Sequence, residues 1–199
     1  MSAVLKQNYT LEEYFELDRN SDANYEYFDG EIFEMSGVSP NHARIEHRLN
    51  RIFGARADEK GCEVFPANLR IKVPDLPPYR YPDLSVVCGA AKFETIGGLE
   101  CLTNPKMLVE VLSNSTASFD KGDKFKFYKS IESFNEYLLI SQFEKLVTQY
   151  IRHNERFWLR GDYETGETIK ITTLDFDLNV EEIYQGVVFE SAANSKVNE

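Results

Sequence analysis

Hydrophobic residues recur along this chain with two different periods, which together predict a fold with both helices and strands. In "YTLEEYFEL", at 9–17, the apolar residues share one helical face, and Thr10 with Glu13 three residues later forms a capping box. A longer segment between Ser39 and Gly61 also carries apolar residues at helical spacing. We expect a short helix at the first segment and a helix of about five turns at the second.

Strand signals follow in the remaining sequence. Asp29-Gly30 separates two alternating runs, as a tight hairpin turn does. Runs rich in β-branched and aromatic residues predict further strands: "EVFPANLRIKV", "DLSVVC", "MLVEVLS", "EYLLIS", "KLVTQYIRH", "RFWLRGDY" and "TIKITTL". "DLSVVC" and "MLVEVLS" are almost continuously apolar, which is typical of strands buried on both faces of a sheet. A helix is expected at 119–131, after "MLVEVLS" and before "EYLLIS".

Length and composition indicate one globular domain. The chain has 199 residues, of which 42% are hydrophobic, so we expect a single domain over 1–190 and a disordered polar tail at 191–199. No apolar run is long enough for a signal peptide or a membrane span, which favours a cytoplasmic protein with no membrane partner. The three cysteines, Cys62, Cys88 and Cys101, are odd in number and lack zinc-site spacing. They are therefore expected to be reduced, mostly buried thiols.

The charge of the chain limits its function. A formal net charge of -11 argues against a protein that coats nucleic acid, because phosphate binding depends on Lys and Arg. It leaves room for a local site, since the charges are unevenly distributed.

Two carboxylates interrupt the apolar strands. Asp83 follows Pro82 at the start of one strand, and Glu110 lies inside "LVEVLS". A buried carboxylate is costly unless it is paired or bound to a cation. If the two strands are neighbours, Asp83 and Glu110 meet and a divalent cation would neutralise their repulsion. A structural salt bridge is the alternative.

The helix at 119–131 supplies a lysine to this region. At 100° per residue, Lys124 falls in the middle of its apolar stripe and Lys121 falls on the same side. A lysine on a core-facing stripe needs an anionic partner. Lys124 is thus expected to point toward the carboxylates, either as a catalytic group or as a buried ion pair with Glu110.

These motifs, taken in order, resemble a known nuclease group. Pro82-Asp83, "VEVLSNST" around Glu110 and "DKGDKFKFY" are similar to the PD-(D/E)XK nuclease superfamily, and specifically to its Uma-type restriction endonuclease family. The resemblance covers about 9–184 and includes "YEYFDGEIFEMS", His42 and "NVEEIY". It implies an α/β (α+β) fold of the restriction-endonuclease-like type: a mixed central sheet of four strands flanked by helices, with additional β-hairpins.

The resemblance also implies roles for individual residues. Asp83 and Glu110 would ligate Mg²⁺ or Mn²⁺ together with the backbone carbonyl of Val111. The superfamily signature places a lysine where this chain has Leu112, and Lys124 matches the position that substitutes for it. The implied activity is that of a metal-dependent endonuclease hydrolysing phosphodiester bonds of DNA.

Five further residues are secondary candidates. Arg70, Lys72 and Lys121 are predicted to bind nucleic-acid phosphates, although solvated charges explain them equally well. Glu26 and His42 match positions of the family and are possible supporting residues of the site, with structural roles as the alternative.

Two other functions remain open from the sequence. The first is a nuclease-fold protein without catalysis, acting as a binding or regulatory module, in which the same side chains form a structural ion cluster. The second is an enzyme acting on RNA or another phosphate ester. A homodimer is also expected as a possibility, since nucleases that cut both strands often present two sites.

Overall fold

The structure is a computed structural model that describes residues 2–3, 8–35, 37–74, 79–113 and 117–189. The tail at 191–199, for which disorder was expected, lies outside the described residues. Within the described ranges no helix is both long enough and apolar enough to cross a membrane.

The N-terminal part forms a helix and a small antiparallel sheet. Helix α1 (Leu11–Asn20) begins with the predicted capping box, in which the Glu13 amide donates to Thr10 Oγ1 at 3.2 Å and the Thr10 amide donates to Glu13 Oε2 at 2.9 Å. The Asp29-Gly30 turn, with φ of 47° and 82°, produces the predicted hairpin. Its sheet has the order β1-β3-β2: β1 (Ser2–Ala3), β2 (Tyr25–Phe28) and β3 (Glu31–Glu34).

Helix α2 (Pro40–Lys60) is the longest element of the fold. Its N-cap is Ser39, whose Oγ accepts from the His42 amide at 3.1 Å, and it ends at Gly61 in the left-handed conformation with φ of 65°. Buried Ile45, Leu49 and Phe53 pack on the central sheet. The predicted helix is therefore confirmed.

The central sheet has six strands. Its order is β13-β12-β11-β10-β7-β4, and the pairing is antiparallel except between β10 and β11. The strands are β4 (Cys62–Pro66), β7 (Leu84–Cys88), β10 (Met107–Leu112), β11 (Glu136–Ser141), β12 (Val147–Arg152) and β13 (Trp158–Tyr163). Four strands form the implied mixed core sheet and the β12–β13 hairpin extends it.

A second, four-stranded sheet packs beside the central one. Its order is β6-β5-β9-β8: β5 (Arg70–Lys72), β6 (Tyr79–Arg80), β8 (Phe93–Ile96) and β9 (Leu99–Leu102). A hairpin of β14 (Thr168–Ile171) and β15 (Phe176–Asn179) leads into helix α5 (Val180–Tyr184). The mixed sheet with flanking helices and added hairpins confirms the predicted fold class.

The helical segment after β10 differs from a regular α-helix. Helix α3 (Ala117–Phe119) and helix α4 (Phe125–Tyr128) are joined by a π-helical segment, Asp120–Lys124. A π-helical turn holds more residues than an α-helical turn, so a spacing of three residues does not return to the same face. The predicted position of Lys121 beside Lys124 is therefore wrong, because Lys121 is exposed while Lys124 is buried.

The expectation of reduced cysteines is wrong for two of the three. Cys62 and Cys88 lie directly opposite each other in the antiparallel β4–β7 pair and form a disulfide. Their spacing of 26 residues did not reveal this, because only the pairing of the two strands brings them together. Cys101 is a buried free thiol, as expected. Disulfides are rare in cytosolic proteins, so the cytoplasmic location stays a prediction.

Candidate active site

The two predicted carboxylates meet at one end of the β7–β10 pair. Val109 pairs with Leu84, so Asp83, at the entry to β7, lies beside the part of β10 that carries Glu110. The Asp83 amide donates to the Val109 carbonyl at 3.1 Å, and the Val111 amide donates to Asp83 Oδ2 at 2.6 Å. The carboxylate of Asp83 is thus fixed against the backbone of β10, next to Glu110.

Lys124 reaches the same point from the helical segment. Its Nζ lies 3.2 Å from Glu110 Oε2, 3.3 Å from Asp120 Oδ1 and 3.5 Å from Glu26 Oε1. Both ends of the Lys124–Glu110 pair are deeply buried, with 4% and 3% of their surfaces exposed. Tyr128, one helical turn further, donates its hydroxyl to Glu110 Oε1 at 2.8 Å. We call Glu26, Glu110, Asp120 and Lys124 the ion cluster.

Glu26 enters the ion cluster from the N-terminal hairpin. It lies on β2 with 2% of its surface exposed, and its Oε1 accepts from the Tyr81 amide at 3.2 Å. Its other oxygen, Oε2, is buried and has no hydrogen-bond partner among the described residues. A buried carboxylate oxygen with no donor is costly. This oxygen is available to a further ligand of the cluster.

Asp120 is the member of the ion cluster that the sequence analysis missed. It precedes Lys124 by four residues, and the π-helical geometry turns both side chains inward. The only signal in the sequence is its spacing from Lys124, in a segment where four lysines suggest a solvated surface.

The pKa values within the ion cluster reflect an excess of buried negative charge. Burial raises the pKa of Glu110, and the positive charge of Lys124 lowers it. Three neighbouring carboxylates raise it further, so that the pKa of Glu110 lies well above its usual value: Asp120, Asp83 and Glu26. For Lys124, burial lowers the pKa but the surrounding carboxylates outweigh it and hold the pKa well above its usual value. Lys124 is therefore a cation, and three carboxyl groups of the cluster contact this one ammonium group.

His42 joins the site from the first turn of α2. Its Nε2 lies 3.2 Å from Asp83 Oδ1. Burial lowers the pKa of His42, but the hydrogen bond and charge of Asp83, with the charge of Glu46, raise the pKa above its ordinary value. The two oxygens of the Asp83 carboxylate thus have separate partners: Oδ1 contacts His42 and Oδ2 accepts from the Val111 amide.

The predicted phosphate-binding residues lie elsewhere. Arg70 donates through Nε and Nη2 to Asp18 Oδ2, at 3.1 and 3.0 Å, and Lys72 Nζ lies 2.5 Å from Glu94 Oε2. Lys121 is exposed. The charges of Arg70 and Lys72 are already compensated within the protein, and nucleic-acid binding by all three residues stays a prediction.

The site suits a hard divalent cation by its donor chemistry. Its donors are carboxylate oxygens, the type that Mg²⁺ and Mn²⁺ prefer, and Glu26 Oε2 is a buried oxygen for which the described part of the chain supplies no hydrogen-bond donor. Among the described residues, however, no three His, Cys, Asp or Glu side chains are arranged as a finished metal cage. Lys124 instead lies between the carboxylates. The residue types fit a metal, and its coordination would require some of these contacts to change.

Comparisons with known proteins agree with this architecture. The chain matches the Uma2 family model, described as "Putative restriction endonuclease", over residues 11–181. Two proteins of Synechocystis sp. (strain ATCC 27184 / PCC 6803 / Kazusa) are similar, and both are described as uncharacterized. The protein slr1290 is 32% identical over 178 residues, covering 89% of this chain and 92% of that protein. The protein sll1609 is 36% identical over 150 residues, covering 75% and 84%.

A solved structure shares the fold. The crystal structure of "a putative nuclease belonging to DUF820" from Anabaena variabilis ATCC 29413 aligns with a TM-score of 0.72. The alignment covers 90% of this chain and 99% of that chain at 17% sequence identity, which shows a common fold. The match to the family model over residues 11–181 shows that the chain belongs to the Uma2 family, described as "Putative restriction endonuclease".

Proposed function

We propose that this protein is a metal-dependent endonuclease that hydrolyses phosphodiester bonds of DNA. The observation that carries the proposal is the convergence of three side chains from separate elements: Asp83 opposite Glu110, with Lys124 Nζ 3.2 Å from Glu110. Membership of a restriction endonuclease family supports a nuclease. Excess buried negative charge beside a lysine suits chemistry that uses a bound cation.

Each residue has a role in this proposal. Asp83 and Glu110, with the Val111 carbonyl, would hold Mg²⁺ or Mn²⁺. When bound, the metal would supply Lewis-acid activation of a phosphoryl oxygen and of water. Lys124 orients the attacking water and stabilises charge that develops on the phosphate. His42 holds Asp83 in position through its Nε2 contact.

The proposal is tested by cleavage of plasmid and linear duplex DNA with Mg²⁺ or Mn²⁺. We expect metal-dependent cleavage by the unaltered protein, and a loss of at least about 100-fold in Asp83→Asn and Lys124→Met, as for removal of a group that stabilises a transition state. Asp58→Asn, which alters an exposed carboxylate on α2, is the control. Cleavage that persists in Asp83→Asn would refute the assigned site. Parallel assays with RNA separate a ribonuclease from a deoxyribonuclease.

A non-catalytic binding or regulatory module is the second candidate. It is favoured by one observation: Lys124 already lies within 3.5 Å of three carboxylates, as expected of a structural ion cluster. In that case Glu110→Gln changes stability and there is no activity to lose. Titration calorimetry with Mn²⁺ separates the two candidates. The endonuclease should bind the metal stoichiometrically and lose this binding in Asp83→Asn, whereas the non-catalytic module should bind no metal.

We also propose that the active form is a homodimer in the cytoplasm, because cutting both strands of a duplex is simplest with two sites. Sedimentation at micromolar concentration tests the dimer, and a monomer that cuts both strands would contradict it. Fractionation of cells tests the location.

A further inference from the structure

The outward face of α2 carries a row of basic residues. At 100° per residue, Arg44, His47, Arg48 and Arg51 fall within about one third of the helix circumference. The buried positions of α2 lie on the opposite side. Arg44, His47 and Arg51 are exposed and Arg48 is half-buried. We call these four residues the basic face.

The arginines of the basic face contact amide groups rather than carboxylates within the described ranges. Arg44 Nη1 donates to Asn41 Oδ1 at 3.2 Å, and Arg48 donates to the side chain and backbone oxygens of Gln185 at 2.8 and 3.0 Å. In the described part of the chain, none of Arg44, Arg48 and Arg51 forms an ion pair. Their charges are therefore available to an external anion.

The positive charge of the basic face is concentrated in one segment. The net charge is -11, and between 40 and 57 there is a single carboxylate, Glu46, against four arginines. By contrast, Lys60 is paired with Asp175, and Lys170 is paired with Asp175 and Asp177. A concentrated positive face on an acidic protein directs a polyanion to one place.

The basic face begins beside the candidate active site. His42, in the first turn of α2, contacts Asp83, and Arg44 lines a surface cleft of about 690 Å³. Gln142 also lines this cleft, and it donates through Nε2 to the carbonyl of Leu112, the last residue of the strand that carries Glu110. The cleft thus connects the carboxyl end of β10 with the start of the basic face.

The cleft also contains an aromatic surface. Phe143 lines it with 49% of its surface exposed, and Ser39 and Asn41 lie on the α2 side. A cationic edge next to an exposed aromatic ring suits a sugar-phosphate backbone, because phosphate meets the arginine and the sugar or base packs on the ring.

We infer that the basic face of α2 binds the phosphate backbone of duplex DNA flanking the bond to be cleaved, with Arg44 nearest that bond and Arg51 farthest from it. The inference rests on the proposed function and names the surface on which its substrate lies. Arg44 and Arg51 are separated by about 10 Å along the helix, at about 1.5 Å per residue. That length corresponds to about three phosphates of one strand at about 3.4 Å each.

The test is duplex binding without catalysis. A fluorescein-labelled 20-base-pair duplex is titrated with protein in EDTA, and anisotropy is followed from 50 to 200 mM NaCl. Arg44→Gln/Arg51→Gln is compared with Lys92→Gln/Arg156→Gln, which removes two exposed positive charges away from α2. We expect at least a 10-fold weaker affinity in the first variant only. Its slope of log K against log salt should fall by about 1.8, which corresponds to two lost phosphate contacts.

Each outcome of the test bears on the inference. Equal affinities and slopes in the two double variants would overturn it, as would no duplex binding by the unaltered protein at 50 mM NaCl. Binding only to single strands would overturn the duplex assignment. If the substitutions instead change only the sedimentation coefficient, the basic face contacts a second copy of the acidic chain. If duplex binding depends on the arginines of α2 but the protein cleaves no DNA, the inference holds and the proposed function is refuted. If the protein cleaves DNA and the α2 variant binds and cleaves it as the unaltered protein does, the proposed function holds and the inference is refuted.

Discussion

Replacing Lys124 by methionine tests the ion cluster most directly. The substitution keeps the apolar stem of the side chain and removes the ammonium group that three carboxylates share. Because Glu110 and Glu26 are almost completely buried, water cannot replace the lost ammonium without opening the core. Each carboxylate must then remain charged without a partner or take up a proton.

The loss of unfolding free energy in Lys124→Met is set by whichever of these two responses costs less. Leaving a buried charge unpaired costs about 3–5 kcal/mol. Protonating one carboxyl group with an ordinary pKa of about 4.3 costs about 4 kcal/mol at pH 7 and about 1 kcal/mol at pH 5, at 1.36 kcal/mol per pKa unit. We therefore expect Lys124→Met to lose about 4 kcal/mol of unfolding free energy at pH 7.

The pH dependence of this loss has a definite sign. In the unaltered protein the pKa of Glu110 already lies above its ordinary value, and removing Lys124, which lowers that pKa, raises it further. The folded variant therefore gains protons, and stability relative to the unaltered protein, as the pH falls. The difference between Lys124→Met and the unaltered protein should therefore shrink to about 1 kcal/mol at pH 5.

Urea denaturation followed by circular dichroism at pH 7 and pH 5 measures both effects. Lys126→Met, on the exposed side of α4, is the matched control and should change stability by less than about 0.5 kcal/mol. A loss below about 1 kcal/mol at pH 7, or a loss that does not shrink on acidification, would refute the argument that Lys124 compensates buried charge.

Three other predictions concern parts of the molecule away from the ion cluster. Asp18 accepts five hydrogen bonds in a buried position, so Asp18→Ala should lower the unfolding free energy by about 3–5 kcal/mol in urea denaturation, whereas exposed Glu16→Ala should have little effect. Reducing the Cys62–Cys88 disulfide, which closes a loop of 26 residues, should lower the unfolding free energy by about 3 kcal/mol. A urea denaturation midpoint that does not change when a reductant is added would contradict this prediction. Burial raises the pKa of Cys101 to about 12, so at pH 8 this thiol should react with iodoacetamide far more slowly in the folded than in the urea-unfolded protein, by mass spectrometry.

The sequence predicted the parts of the site that depend on local patterns. Asp83 and Glu110 stood out because a carboxylate in a buried apolar run is costly, and β7 and β10 are indeed neighbours. Lys124 stood out because it lies on a core-facing helical stripe, and it is buried. The Thr10–Glu13 capping box, the Asp29-Gly30 turn and the apolar runs likewise predicted most elements of the fold, since each is encoded by nearby residues.

The remaining features depend on contacts between distant segments. Arg70 was predicted to bind phosphates, yet Asp18, 52 residues earlier, takes its guanidinium, and no local pattern indicates that pairing. The Cys62–Cys88 disulfide likewise requires the register of β4 on β7. Asp120 lies on the same side of a helical wheel as Lys124, four residues later, but nothing in the local sequence distinguishes it from a solvated aspartate such as Asp123.

The π-helical segment holds one residue more between α3 and α4 than a regular helix would. A Cβ atom at Gly122 would meet no atom of the described residues within 4 Å, so alanine fits at this position. Removing the residue altogether would allow an α-helical turn to form, and Asp120 and Lys124 would then be three residues apart, still on one face of the helix. A relative that lacks this one residue can therefore keep its buried ammonium at the same place in the fold.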